Sequence, residues 1–107
     1  MKTFHLLDLH KFREAEPHAE PLHVDEHGRV LLFALRPGQS VKEHAAPHSP
    51  VNILVLKGHG LFAGQDKHEV SCGPNTLLVI DPGEPHTIRA QDEDLLFLAI
   101  LHGAPKA

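Results

Sequence analysis

Short apolar runs, punctuated by turn residues about every eight to twelve positions, constrain this 107-residue chain more than any other feature. Arg29 to Leu35, Val51 to Leu56, Thr76 to Ile80 and Leu95 to Leu101 are strand-length and rich in Leu, Val and Ile. Between them stand Pro37-Gly38, Lys57-Gly58-His59-Gly60, Cys72-Gly73-Pro74-Asn75 and Asp81-Pro82-Gly83. Glycine and proline in such clusters set turns, and runs this short are better strands than helices. Asp25-Glu26-His27-Gly28 reads as a hairpin turn between Leu22–Val24 and Arg29–Leu35. Shorter strands are expected at Ser40 to His44, Leu61 to Ala63, His68 to Val70 and Pro85 to Ala90. Leu95 to Leu101 is rich enough in Leu and Ala to favour helix, but it lacks a helical period and is read as a strand. Residues 1–23 stay open between a short helix face and a strand: Leu6, Leu7, Leu9 and Phe12 fit either, and Pro17 and Pro21 break the stretch after Phe12. Some eight to ten short strands in one chain imply an all-β sandwich or barrel.

Composition narrows the function classes. The length fits one domain, and an apolar fraction of 41% supports a packed core. That core rests on Leu, Val, Ile and Ala, because the chain has five Phe and no Trp or Tyr. The net charge is −4 and the charges are interspersed, so no basic block invites nucleic acid. No apolar stretch approaches the length of a membrane span, and no membrane association is expected. Nor does the start of the chain show the apolar core of a signal peptide, so the expected location is the cytoplasm. Cys72 is the single cysteine and has no internal disulfide partner; it reads as a small, partly buried turn residue rather than a nucleophile.

Eleven histidines are a large number for this length, and two groups of them sit beside turns. One is Gly38-Gln39-Ser40-Val41-Lys42-Glu43-His44-Ala45-Ala46-Pro47-His48, followed by an apolar run and Gly58. The other is Asp81-Pro82-Gly83-Glu84-Pro85-His86. Imidazoles brought together from distant strands are what a divalent metal site needs, since neutral imidazole is the commonest protein metal ligand. No Ser, His and acid arrangement suggests a nucleophilic triad, and Gly58-His59-Gly60 lacks the strand–loop–helix setting of a phosphate loop.

Together these segments resemble the two motifs of the cupin superfamily. Glycine, five residues, histidine and an apolar strand ending in glycine stand here as Gly38, His44 and Gly58. The second motif stands as Asp81-Pro82-Gly83-Glu84-Pro85-His86, with Asp81 in place of a proline. The likeness runs from about Val30 to Leu101. It implies a double-stranded β-helix, a jelly-roll barrel of two facing sheets: one domain, with residues 1–23 as a short N-terminal extension and 24–102 as the barrel. The family usually supplies two histidines one residue apart, a glutamate and a histidine from the second motif. His44 and His86 match the first and last of these, while Ala46 and Val51 occupy the other two positions. His48 is an extra histidine in the same loop, not a match to the motif, and a shift of one or two residues there would aim it inward in place of the missing one. The resemblance therefore implies a divalent transition metal (Zn, Mn, Fe, Ni or Cu) held by His44, His48 and His86, beside a small-molecule ligand. Metal-dependent dioxygenase or isomerase chemistry follows by resemblance alone. So does a homodimer, with Leu6, Leu7 and Leu9 as a candidate contact patch.

The competing expectation is a metal-free pocket in a binding or sensor module. An apolar Val51 on the barrel wall favours it, because that position has lost the carboxylate that neutralises metal charge. The remaining histidines are expected elsewhere. His59 and His102 should face solvent, and His5, His10, His18, His23 and His27 the surface or a dimer contact. His68 is a minor candidate for the pocket. Asp81 is expected to support its turn by accepting backbone N–H groups, and Glu84 to be a solvated turn carboxylate.

Overall fold

A computed structural model of the chain describes residues 1–9, 11–44 and 49–103, with Glu43 and His44 described by backbone alone. Leu6–Asp8 form one 3-10 turn, and nine strands succeed it: β1 (His18–Asp25), β2 (Gly28–Leu35), β3 (Ser40–His44), β4 (Val51–Lys57), β5 (Gly60–Ala63), β6 (Val70–Cys72), β7 (Leu77–Ile80), β8 (His86–Ala90) and β9 (Leu95–His102). They build a five-stranded sheet in the order β1-β2-β9-β4-β7 and a four-stranded sheet in the order β3-β8-β5-β6. Every pairing is antiparallel. From β2 onward, the β5–β6 pair apart, each strand lies in the sheet opposite its predecessor's, which is the double-stranded β-helix.

Two strands differ from the sequence reading. β1 starts at His18 and runs through Pro21, where a break was expected. It is the outer strand of its sheet, so a residue without N–H is tolerated, and the register shifts between Pro21 and His23. β6 begins at Val70 rather than His68 and takes in Cys72, which is buried at its end rather than lying in the turn.

The core lies between the sheets. Leu35, Val51, Ile53, Val55, Phe97, Ala99 and Leu101 of the larger sheet meet Phe62, Cys72, Ile88 and Ala90 of the smaller. Phe97 is the hub, with Phe33 stacked on it at 4.9 Å and Phe62 edge-on at 5.9 Å. A second cluster occupies the outer face of the larger sheet: Leu32, Ala34, Leu96 and Leu98, with Leu6, Phe12, Leu22, Leu54 and Leu56 against them. The N-terminal segment thus covers part of that face. It is tied down by the Gln39 side-chain amide, which donates to the carbonyls of Arg13 (2.8 Å) and Glu14 (3.2 Å), and by Arg36 over the Phe12 ring at 4.5 Å. Burial on both faces explains why β9 is apolar throughout instead of alternating.

Candidate functional site

Local chain chemistry fixes His86 in place. Asp81 to Glu84 form a turn in which the Glu84 N–H donates to the Asp81 carbonyl at 3.0 Å. Pro82 suits its second position, and Gly83, at φ +79°, supplies the left-handed third residue such a turn requires. The side-chain support is the reverse of that expected: the Glu84 carboxylate accepts from the Asp81 N–H at 3.2 Å. Pro85 then leads into β8, and His86 opens that strand at 7% exposure. Its Nδ1 lies 3.2 Å from the Glu84 carbonyl. A carbonyl only accepts, so Nδ1 carries the proton, and in the neutral ring Nε2 then holds the lone pair. Metal-ligating imidazoles commonly have this backbone-fixed tautomer.

His44 ends β3, and the ladder sets it directly opposite His86. The register depends on an irregularity. Val41 pairs with Ile88, and two residues of β3 then face one of β8 before His44 meets His86. The extra residue moves the position opposite His86 from 43 to 44. Directly opposed positions of an antiparallel pair share a sheet face, so residues 44 and 86 lie at neighbouring positions on one side of the smaller sheet. His48, the third expected ligand, lies outside the described residues. Among the described residues no three His, Cys, Asp or Glu side chains form a metal-binding group.

His86 borders two hollows. The first, about 270 Å³, opens between the sheets and is walled by Leu31, Phe33, Val51, Ile53, Phe97 and Leu101 among others. Val51 is buried there, as expected of a residue on the barrel wall. Among the described residues of the lining only Arg29 and His86 are polar. The second hollow, about 590 Å³, lies where β7 diverges from β5 and β6, and includes His68, Asp66, Glu84 and Cys72 in its walls. It is flanked by exposed Val70, Leu77 and Val79. The smaller hollow is the better candidate site, being walled by inward-facing residues with two polar groups among them.

Arg29 was not singled out from the sequence. It stands on β2 with Leu31 and Phe33, two and four residues on, as co-liners of the small cavity. Val30, Leu32 and Ala34 on the opposite face are equally apolar, so alternation gave no sign of which face turns inward. The other arginines pair with carboxylates: Arg13 with Glu16 (3.1 Å), Arg36 with Asp94 (3.3 Å) and Arg89 with Glu69 (3.2 Å). Arg29 has no such partner among the described residues, and its buried Nε makes no hydrogen bond. The other buried nitrogen without one, His18 Nε2, is still 3.4 Å from a Glu20 carboxylate oxygen.

Of the remaining histidines, His10 lies outside the described residues, and His18, expected at the surface, is largely buried, its side chain 14% exposed. His59 is exposed and bonded to Glu93 at 2.8 Å, and His102 is exposed beside Asn52. His68 reaches the wall of the larger hollow. Cys72 is buried, which pushes its thiol pKa up and keeps it protonated at neutral pH. That is the behaviour of a packing residue rather than a nucleophile.

Comparison with known proteins agrees with this architecture. The family model described as "Cupin domain" matches residues 31–101. No curated protein matches the chain. Among solved structures, TT1209 from Thermus thermophilus is 24% identical with a TM-score of 0.91, over 98% of this chain and 100% of that one. An uncharacterized conserved protein with a double-stranded beta-helix domain from Klebsiella pneumoniae is 16% identical, TM-score 0.91, over 100% and 94%. An RmlC-like cupin protein from Desulfovibrio desulfuricans is 27% identical, TM-score 0.84, over 94% and 95%.

Proposed function

Since the chain belongs to the cupin-domain family, we propose that its barrel mouth is a small-molecule site in which His44, His48 and His86 hold a divalent transition metal. The observation that carries this reading is His86: buried at the lip of the cavity, tautomer set by the Glu84 carbonyl, and opposite His44 in the ladder. The donor chemistry fits, because imidazole nitrogen suits Zn, Mn, Fe, Ni or Cu. Three protein ligands leave coordination positions open, and a metal so held supplies Lewis acidity to a bound oxygen-bearing molecule. The chain's own residues orient and enclose that molecule: Leu31, Phe33 and Phe97 exclude water, and the pinned His86 ring holds its nitrogen in a fixed direction. Substrate screening with the identified metal tests this reading for turnover of a dioxygenase or isomerase kind.

Val51 favours a second reading. It places a buried apolar side chain where the family usually has a carboxylate, which suits a metal-free binding or sensor pocket. Elemental analysis of untagged protein separates the two, with His44→Ala, His48→Ala and His86→Ala alongside. About one metal per chain, lost in each variant, is the expected result. No metal after incubation with Zn, Mn, Fe, Ni and Cu ions would overturn the metal reading and leave the second. The same proposal holds the chain as a homodimer, supported by the exposed Leu7 and Leu9 beside the apolar outer sheet face.

A further inference from the structure

We propose that Arg29 makes the small cavity a site for a carboxylate ligand with an apolar body. This rests on reading that cavity as the ligand site, but not on the metal. Three observations carry it. Arg29 lines a cavity of about 270 Å³ whose other described walls, His86 excepted, are aliphatic or aromatic. Unlike Arg13, Arg36 and Arg89, it has no carboxylate partner among the described residues. Its Nε is also shielded from water without a hydrogen bond. A guanidinium is always charged, and holding one partly desolvated without a counter-charge is unfavourable. An anion in the cavity supplies what is missing.

Size and charge decide which anion. One guanidinium balances one negative charge, and its planar fork matches the two oxygens of a carboxylate. Without the metal, a phosphate monoester, which carries nearer two charges, would call for a further cation that the described lining does not supply. The apolar walls favour a ligand whose remainder is hydrocarbon, and the volume admits something of the order of a single ring or short chain.

Benzoate and its neutral counterpart benzamide are suitable probes, titrated by calorimetry into full-length protein with metal bound and again after chelation. Benzoate is expected to bind wild type in both states and more tightly than benzamide. Arg29→Gln should weaken benzoate by about tenfold or more while changing benzamide little, and Arg29→Lys should retain part of the preference. Folding of each variant is checked by circular dichroism. Removing a half-buried cation whose Nε is shielded without a partner should leave the melting temperature of Arg29→Leu equal to or above that of wild type. Benzoate binding that vanishes on chelation and ignores Arg29→Gln would place the carboxylate on the metal; the Arg29 proposal would fall while the metal reading stood. Equal affinity for benzoate and benzamide, or no binding of either by metal-loaded wild type, would also overturn it. A fall in the melting temperature of Arg29→Leu with unchanged benzoate affinity of Arg29→Gln would make Arg29 structural.

Discussion

Asp25 shows how a histidine-rich chain uses several of its imidazoles. Its carboxylate lies 2.8 Å from His23 Nε2 and accepts the backbone N–H groups of His27 (2.7 Å) and Gly28 (3.1 Å), closing the β1–β2 hairpin. The His23 bond first, and then the turn N–H of His27, hold its pKa below the ordinary 3.8. A carboxyl with a lowered folded pKa contributes stability that is full above 3.8 and is lost as pH falls through the lowered value. Asp25→Asn should therefore melt slightly below wild type at neutral pH, and the gap should close under acid. Parallel melting curves with a constant gap from about pH 7 to pH 3 would contradict this. His18, His27 and His59 likewise sit within ion-pair distance of Glu20, Glu26 and Glu93. Four histidines among the described residues thus sit beside carboxylates, so number alone did not single out candidates, and the motif spacing of His44 and His86 did.

At the scale of elements, turns carry much of the information. Gly58 joins β4 to β5 at φ +79°, and a Cβ there would collide with the Asp94 carbonyl just before β9. Both the backbone conformation and the close approach demand glycine, so Gly58→Ala should destabilise the fold by about 2 kcal/mol or more in denaturant titration. A cost under about 0.5 kcal/mol would show that the acidic turn gives way easily. The same punctuation made β2, β4, β7 and β9 readable within a residue or two. β1 was harder because edge position, a tertiary property, is what lets a strand keep Pro21. β9 was ambiguous with helix because a strand buried on both faces loses its alternation.

For the molecule as a whole, the N-terminal segment presents two sets of apolar side chains. Leu6 and Phe12 pack on the outer face of the larger sheet, while Leu7 and Leu9 are exposed. Deleting residues 1–15 would remove both sets at once and should weaken the proposed dimer. Leu7→Glu combined with Leu9→Glu is the cleaner test, because Leu6 and Phe12 stay in place. Sedimentation should show dimer affinity reduced at least about tenfold with the fold intact. Unchanged affinity in both the deletion and the double variant would refute an N-terminal contact. Among the described residues no helix is long and apolar enough to cross a membrane.

Sequence by itself determined the all-β class, the strands apart from the bounds of β1 and β6, the family likeness and the pairing of His44 with His86 as candidates. Each depends on local chemistry, namely turn residues at fixed offsets and runs too short for helices. Only the tertiary structure decided which face of β2 turns inward and so put Arg29 in the cavity, because both faces of that strand are apolar and only the packed sheets distinguish them. The extra residue in β3 was equally beyond local reading. Strict alternation from Val41 would bring residue 43 opposite His86, and the register with β8 brings His44 there instead.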